Sequence, residues 1–241
     1  MSIAQWEKQL ITEDKLDICL EFRKYFANHC LEGNGIEIGA LHNPLPVPDT
    51  AKVKYVDRMT TADLKWQYPE LASENLVEVD IIDNGEFLTT IPDSSQDFVI
   101  ANHFIEHCQD PITSLVNILR VLKSGGILYL AIPDQRFSFD SPRCLTSFEH
   151  LLKDYQEGPE SSKKEHFEEW VKLVEKVEDP AEVEKLVNQM IEDDYSIHFH
   201  VWRSFEFLDF LFSVKQILDL RFEIETFFEN GAEVIAILKK E

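Results

Sequence analysis

Gly35-Ile36-Glu37-Ile38-Gly39 decides the fold, because three segments answer it downstream at the spacing a nucleoside-binding α/β domain requires. They are Tyr55-Val56-Asp57, Asp97-Phe98-Val99-Ile100-Ala101-Asn102-His103 and Leu122-Lys123-Ser124-Gly125-Gly126. The apolar runs read as buried parallel strands, each ending in small, acidic or polar residues where the chain leaves the sheet. Ligands of open α/β sheets sit at that edge.

The first turn brings backbone close to a ligand, which favours a residue without Cβ, and Gly39 directly follows the first strand. Asp57 closes the second strand about 20 residues on, where a carboxylate can accept from both ribose hydroxyls. A glycine turn alone is weak evidence. Turn, acid, polar strand end and Lys-Ser-Gly-Gly before the strand Ile127–Ile132 together agree on one architecture.

With its Glu-Ile-Gly motif and its His103-x-x-Glu106-His107 after the fourth strand, the chain resembles the class I S-adenosylmethionine-dependent methyltransferases over about residues 33–135. The resemblance implies S-adenosyl-L-methionine as cofactor. It puts Glu37 and Gly39 at the methionine end with Ala40 beside them, Asp57 on the ribose with Arg58 next to it, Asp80 and Ile81 or else Asp83 at the adenine, and Asn102 and His103 closing the pocket. Leu41 and Asn43 depart from the pattern, standing where most family members carry glycine. A nicotinamide fingerprint, Gly-x-Gly-x-x-Gly, needs those glycines more. Pro44, Pro46 and Pro48 exclude an ordinary helix between the first two strands, so a loop is expected there, with His42 and Asn43 near the ligands.

The 241 residues, 44% hydrophobic, suffice for one large core and an appendage. A single domain over 1–241 is expected, with a helical segment at 1–32 and a helical insertion at 136–203. The net charge of −22 repels a phosphate backbone and argues against a nucleic-acid partner. No apolar run approaches the length that crosses a bilayer, so a cytoplasmic protein without a membrane partner is expected. Cys19, Cys30, Cys108 and Cys144 form no Cys-x-x-Cys pair and read as reduced, buried thiols.

Helical spacing marks Ile3–Leu31 as one or two helices able to cap the pocket. Thr61–Tyr68 reads as a short helix, Leu76–Ile81 as the third strand, and Ile112–Leu122, after Pro111, as a helix packing on the sheet. From Gln135 to Arg203 charged helical stretches replace strands, broken at Gly158-Pro159 and Asp179-Pro180, and form a candidate substrate lid. Thr146 and Glu149 match a capping box. Leu220–Phe228 and Ala232–Leu238, joined at Asn230-Gly231, read as an antiparallel hairpin. The expected fold is thus Rossmann-like: seven strands, mostly parallel, with that hairpin at the C-terminus and a helical insertion after strand five. A simple dinucleotide-binding fold would end in a sixth parallel strand instead.

Methyl transfer to a hydroxyl needs in-line alignment and a base that works near neutral pH, which points to histidine. Candidate bases are His107, His150, His198 and His200. His103 and His107 share a face if the chain from Phe104 is helical. In His198-Phe199-His200-Val201-Trp202 both imidazoles share a side if the segment is extended, with Trp202 as a stacking surface. A metal site there would need a third ligand from His150, His166 or Asp154, and none is assigned. The segment from Thr146, with His-x-His-x-Trp, resembles methyltransferases of glycan and natural-product biosynthesis. The expected reaction is O-methylation of a sugar or other small polar acceptor, with homo-oligomerisation open. The alternatives are a non-catalytic cofactor-binding protein and a nicotinamide-dependent reductase.

Overall fold

A computed structural model describes residues 13–241. Its strands are β1 Gly33–Ile38, β2 Ala51–Asp57, β3 Ile81–Ile82, β4 Gln96–Asn102, β5 Leu122–Pro133, β6 Phe222–Asn230 and β7 Glu233–Lys240. They form one seven-stranded sheet in the order β3-β2-β1-β4-β5-β7-β6. The first five are parallel, and β7 runs antiparallel between β5 and β6. This is the expected mostly parallel sheet with a C-terminal antiparallel hairpin. The helices are α1 Glu13–Cys30, α2 Thr61–Gln67, α3 Pro111–Val121, α4 Phe148–Glu157, α5 Glu160–Leu173, α6 Pro180–Glu192 and α7 Ser204–Ile217.

The period of two along each strand loads both faces of the sheet. Ile36, Ile38, Val99, Ala101, Leu128 and Leu130 meet apolar residues of α3 and α7 on one side. Phe98, Ile100, Tyr129, Ala131, Ile235 and Ile237 meet Ala27 of α1, Leu31 just after it, and Leu45 on the other. At the centre β1 and β4 come so close that a Cβ on Gly35 would lie 2.4 Å from the Phe98 carbonyl oxygen. α3 starts as its sequence dictates, with Pro111 in the first turn and Asp110 accepting from the Thr113 amide at 3.0 Å, a cap worth about 1 kcal/mol.

α1 lies on the sheet face rather than over the strand ends. Its Arg23 pairs with Glu233 of β7, and Phe22 and Phe26 pack on Phe228 of β6. Residues 1–12, expected to begin this helical segment, lie outside the described residues. The connection from β1 to β2 is a loop, as the prolines require. Within 136–203, α4, α5 and α6 follow β5, and Phe139, Phe167, Trp170, Val171, Val187 and Ile197 belong to a small core of their own.

Several local expectations are corrected. The third strand is only Ile81–Ile82, because the Val77 amide goes to the Leu41 carbonyl and the Val79 amide to Thr61 Oγ1 instead of a strand partner. The hairpin turns on Gly231 and Ala232, since Asn230 pairs with Glu233 and its Nδ2 is spent on the Cys19 carbonyl and on Glu233. α4 is capped by Ser147, which accepts from the His150 amide, while Thr146 Oγ1 accepts from the Val201 amide. Cys144 is exposed, unlike the buried Cys19 and Cys108.

Candidate active site

The carboxyl ends of β1, β2 and β4 meet at one edge. Gly39, at φ +65°, turns the chain out of β1, and a Cβ there would meet no atom within 4 Å. Backbone is therefore open to a ligand at the place where a tight approach was expected. Ala40 follows, its carbonyl accepting from the Asn43 amide. Leu41 keeps a left-handed conformation, φ 50°, although it is not glycine. Its side chain packs against the Leu64, Leu71 and Leu76 cluster, which offsets about 1–2 kcal/mol of backbone strain. Asn43 and His42 bond each other, Nδ2 to Nε2, at 2.9 Å.

Glu37 is buried in β1, and both carboxylate oxygens accept from the Leu45 amide, at 2.9 and 3.2 Å. Burial pushes its pKa up to about 7, against the pull of that amide and of Arg23. Glu37 is thus the anchor of the proline loop that was expected between β1 and β2. Asp57 ends β2 with Oδ1 accepting from the Arg58 amide at 2.7 Å, and burial raises its pKa. The Arg58 guanidinium turns to Asp194, beyond α6, at 2.9 Å and to the Tyr68 hydroxyl at 2.6 Å.

Asp80 is set back from the edge: its carboxylate accepts from the Tyr55 amide, and its own amide donates to the Tyr55 carbonyl. Ile81 pairs with Val56, and Ile82, 55% exposed, pairs with Asp57. Ile82 is an apolar surface beside the acid that sequence reasoning passed over. Its signal was an apolar pair, Ile81-Ile82, between two acids. Asp83 folds back on Thr89 and Thr90, accepting 2.7 Å bonds from the Thr90 amide and hydroxyl.

At the end of β4 both amide atoms of Asn102 are buried without a partner, a costly state that a bound polar group would relieve. His103, at φ 49°, is held by β7, with Nε2 2.9 Å from Glu233 Oε2. Ile105–His107 is a single 3₁₀ turn, so His103 and His107 do not share a helix face.

The histidines form two groups. In the first, the rings of His107 and His198 meet edge to face at 4.6 Å. His198 Nδ1 lies 2.6 Å from Asp140 Oδ2, and Asp140 Oδ1 accepts from Arg143 at 2.8 Å. Ser196 Oγ is 3.0 Å from His107 Nδ1, and Glu106 is buried beside them with neither carboxylate oxygen hydrogen-bonded and His103 Nδ1 3.6 Å from its Oε1. Burial works against the charge of Asp140, but His198 and Arg143 outweigh it and hold the carboxyl below its usual range. Burial likewise opposes the His198 cation, yet Asp140 outweighs it and raises His198. Burial drives His107 well down and Glu106 up. In the second group His150 Nε2 is 3.0 Å from His166 Nε2, and the His200 ring lies 5.1 Å from that of His166.

His198 and His200 therefore serve separate groups. Their segment is extended but irregular, since the amides of Phe199 and His200 both donate to the Glu106 carbonyl, at 2.8 and 3.2 Å. These bonds bring 195–203 against the turn after β4. Asp140, Arg143 and Ser196 had no local signature, because their roles exist only after the segment folds back.

Residues 33–130 match the family described as a methyltransferase domain. No curated protein matches the chain. Among solved structures the chain is similar to a Thermotoga maritima protein described as a SAM-dependent methyltransferase, possible histamine N-methyltransferase, with 18% identity, covering 99% of this chain and 94% of that one at a TM-score of 0.50. It is also similar to a Rhodobacter sphaeroides protein described as a candidate zinc-dependent alcohol dehydrogenase, with 15% identity, covering 95% and 90% at a TM-score of 0.52. At such identities the likeness is one of fold. No described helix is long and apolar enough to cross a membrane.

Proposed function

Since the chain carries a class I S-adenosylmethionine-dependent methyltransferase domain, we propose that it methylates a hydroxyl of a sugar or similar small polar acceptor, with His198 as general base. The observation that carries this reading is the Asp140–His198 hydrogen bond at 2.6 Å beside the turn after β4. A hydroxyl must lose its proton as it attacks, and a carboxylate on Nδ1 orients the ring and leaves Nε2 to take that proton.

The residues at the strand ends fit the cofactor. Gly39 leaves open space at the turn, the unpartnered Asn102 amide offers both donor and acceptor, and Asp57 offers the carboxylate oxygen not spent on Arg58 to the ribose. Bound S-adenosylmethionine supplies an electrophilic methyl on a sulfonium. Asn102 and Asp57 bind and orient, while His198 holds the acceptor's proton on Nε2 and Asp140 stabilises the resulting imidazolium. Residues 136–203 act as the lid over the acceptor. His198 is 6% exposed, so the acceptor enters with the segment 195–203 lifted from Glu106.

The test incubates the protein with S-adenosylmethionine and a panel of sugars, sugar nucleotides, polyols and amines, reading S-adenosylhomocysteine and the methylated product by mass spectrometry. Methyl ether formation that His198→Gln abolishes, with S-adenosylhomocysteine affinity kept, is the expected result. Methylation confined to amines, or tight cofactor binding with no turnover on any acceptor, would refute the proposal.

A further inference from the structure

The second histidine group stands apart from the proposed base and draws on three elements: His150 and Asp154 from α4, His166 from α5 and His200 from the segment before α7. The nitrogen ligand atoms of the three histidines lie within 4.8 Å of one another. His150 Nε2 is 3.0 Å from His166 Nε2 and also 3.0 Å from Asp154 Oδ2. One proton on His150 Nε2 cannot satisfy both neighbours.

The leftover atoms point to a ligand. Asp154 is fully buried, its Oδ1 fixed by the Ser162 hydroxyl at 2.7 Å and its Oδ2 facing the His150 imidazole without a well-formed hydrogen bond. His200, 1% exposed, places Nε2 3.3 Å from the Gln109 carbonyl and leaves Nδ1 buried without a partner. Both second contacts are of the kind that orients metal ligands, a hydroxyl on the carboxylate and a backbone carbonyl on the imidazole. We propose that His150, His166, His200 and Asp154 bind one divalent transition-metal ion of the zinc class, as a structural site that pins α4, α5 and the 195–203 segment together.

The spacing suits such an ion. In a tetrahedral site with metal–ligand bonds of about 2.0–2.1 Å, neighbouring ligand atoms stand about 3.3 Å apart, close to the two 3.0 Å separations here. Three imidazoles and one carboxylate are a borderline donor set that suits zinc and excludes calcium and magnesium, which take oxygen ligands. The Glu106, His107 and His198 group also brings ligand-type atoms together, but there His198 Nδ1 is already spent on Asp140 at 2.6 Å.

Dialysis of the full chain against a chelator, then titration with zinc chloride or cobalt(II) chloride, tests the site. The expected result is one ion per chain by elemental analysis after gel filtration, and intense visible absorption of four-coordinate cobalt. The unfolding temperature should rise by about 5–10 °C at free zinc near 100-fold above Kd. His166→Ala and the milder His166→Asn should lose the ion and the thermal shift, while His107→Ala keeps both. Folded wild-type protein that binds neither ion overturns the proposal. So does an ion retained by both His166 variants, or one lost only from His107→Ala.

Discussion

Glu37→Gln is the sharpest test of the turn after β1. Glu37 sits 1% exposed with a pKa raised from 4.5 to about 7, burial being the largest cause. For a carboxyl whose folded pKa lies above its unfolded value, ionisation disfavours the folded state. The penalty is small below pH 4.5, grows as pH rises towards 7, and then saturates. A shift of this size corresponds to about 3 kcal/mol. Glutamine keeps an oxygen for the Leu45 amide and removes the charge, so the variant should be more stable than wild type by about 3 kcal/mol at pH 8 and by less than about 1 kcal/mol at pH 5. In a chain of this length that is a rise of roughly 6–10 °C in Tm at pH 8. Differential scanning calorimetry of both proteins at the two pH values reads it directly. A stability gap that does not widen with pH, or a less stable variant at pH 8, would show that Glu37 is ionised without cost and that its role as a strained anchor is wrong. The wild type carries a linked signature: if the cofactor's ammonium end approaches Glu37, binding near pH 7 should release about half a proton, measured by calorimetry in buffers of different ionisation heat, and Glu37→Gln should release none.

Asp140→Asn removes the charge that raises His198, so the acid limb of kcat/KM should move to lower pH and stability should fall by about 3 kcal/mol; an unmoved limb would make Asp140 purely structural. Gly39→Ala introduces no clash but strains a φ of +65°, costing about 1 kcal/mol in Tm-derived stability, while titration calorimetry should show S-adenosylhomocysteine affinity down tenfold or more. Equal affinity would mean that nothing approaches this turn. Gly35→Ala places its Cβ 2.4 Å from the Phe98 carbonyl and should cost about 3 kcal/mol in chemical denaturation, with no other change asked of the site.

The central strands β1, β4, β5 and β7 were legible because each carries a continuous buried run, and the hairpin because Gly231 must take a positive φ. The loop between β1 and β2 was equally legible, since three prolines admit no helix. What holds that loop was not: Leu45 donates to Glu37 across eight residues, and Leu41 finds its apolar partners in Leu64 and Leu71. Short-range pattern misread Leu76–Val79 as strand because their hydrophobicity serves a side cluster and their amides bond to Leu41 and Thr61. The same limit governs the site. Gly39, Asp57 and Asn102 stand at strand ends that order alone predicts, whereas Asp140 reaches His198 across 58 residues and His150 meets His166 and His200 only once the chain has packed.

The His198–Asp140 pair sets activity against closure, with a sign that can be checked. The folded pKa of His198 is raised above its unfolded value near 6.5, burial being overcome by Asp140. Its stabilising contribution is therefore present in full below about pH 6.5 and lost as pH rises through the folded value. A base must be neutral to accept a proton, so the form that acts is the form that grips Asp140 less. The amides of Phe199 and His200, bonded to the Glu106 carbonyl, report that grip. Hydrogen exchange at 197–203, corrected for the intrinsic increase with pH, should accelerate over the same interval in which kcat/KM rises, and Asp140→Asn should exchange fast throughout. Exchange that stays flat after correction while activity climbs would separate the base from the closure of the segment and leave His198 without the link drawn here.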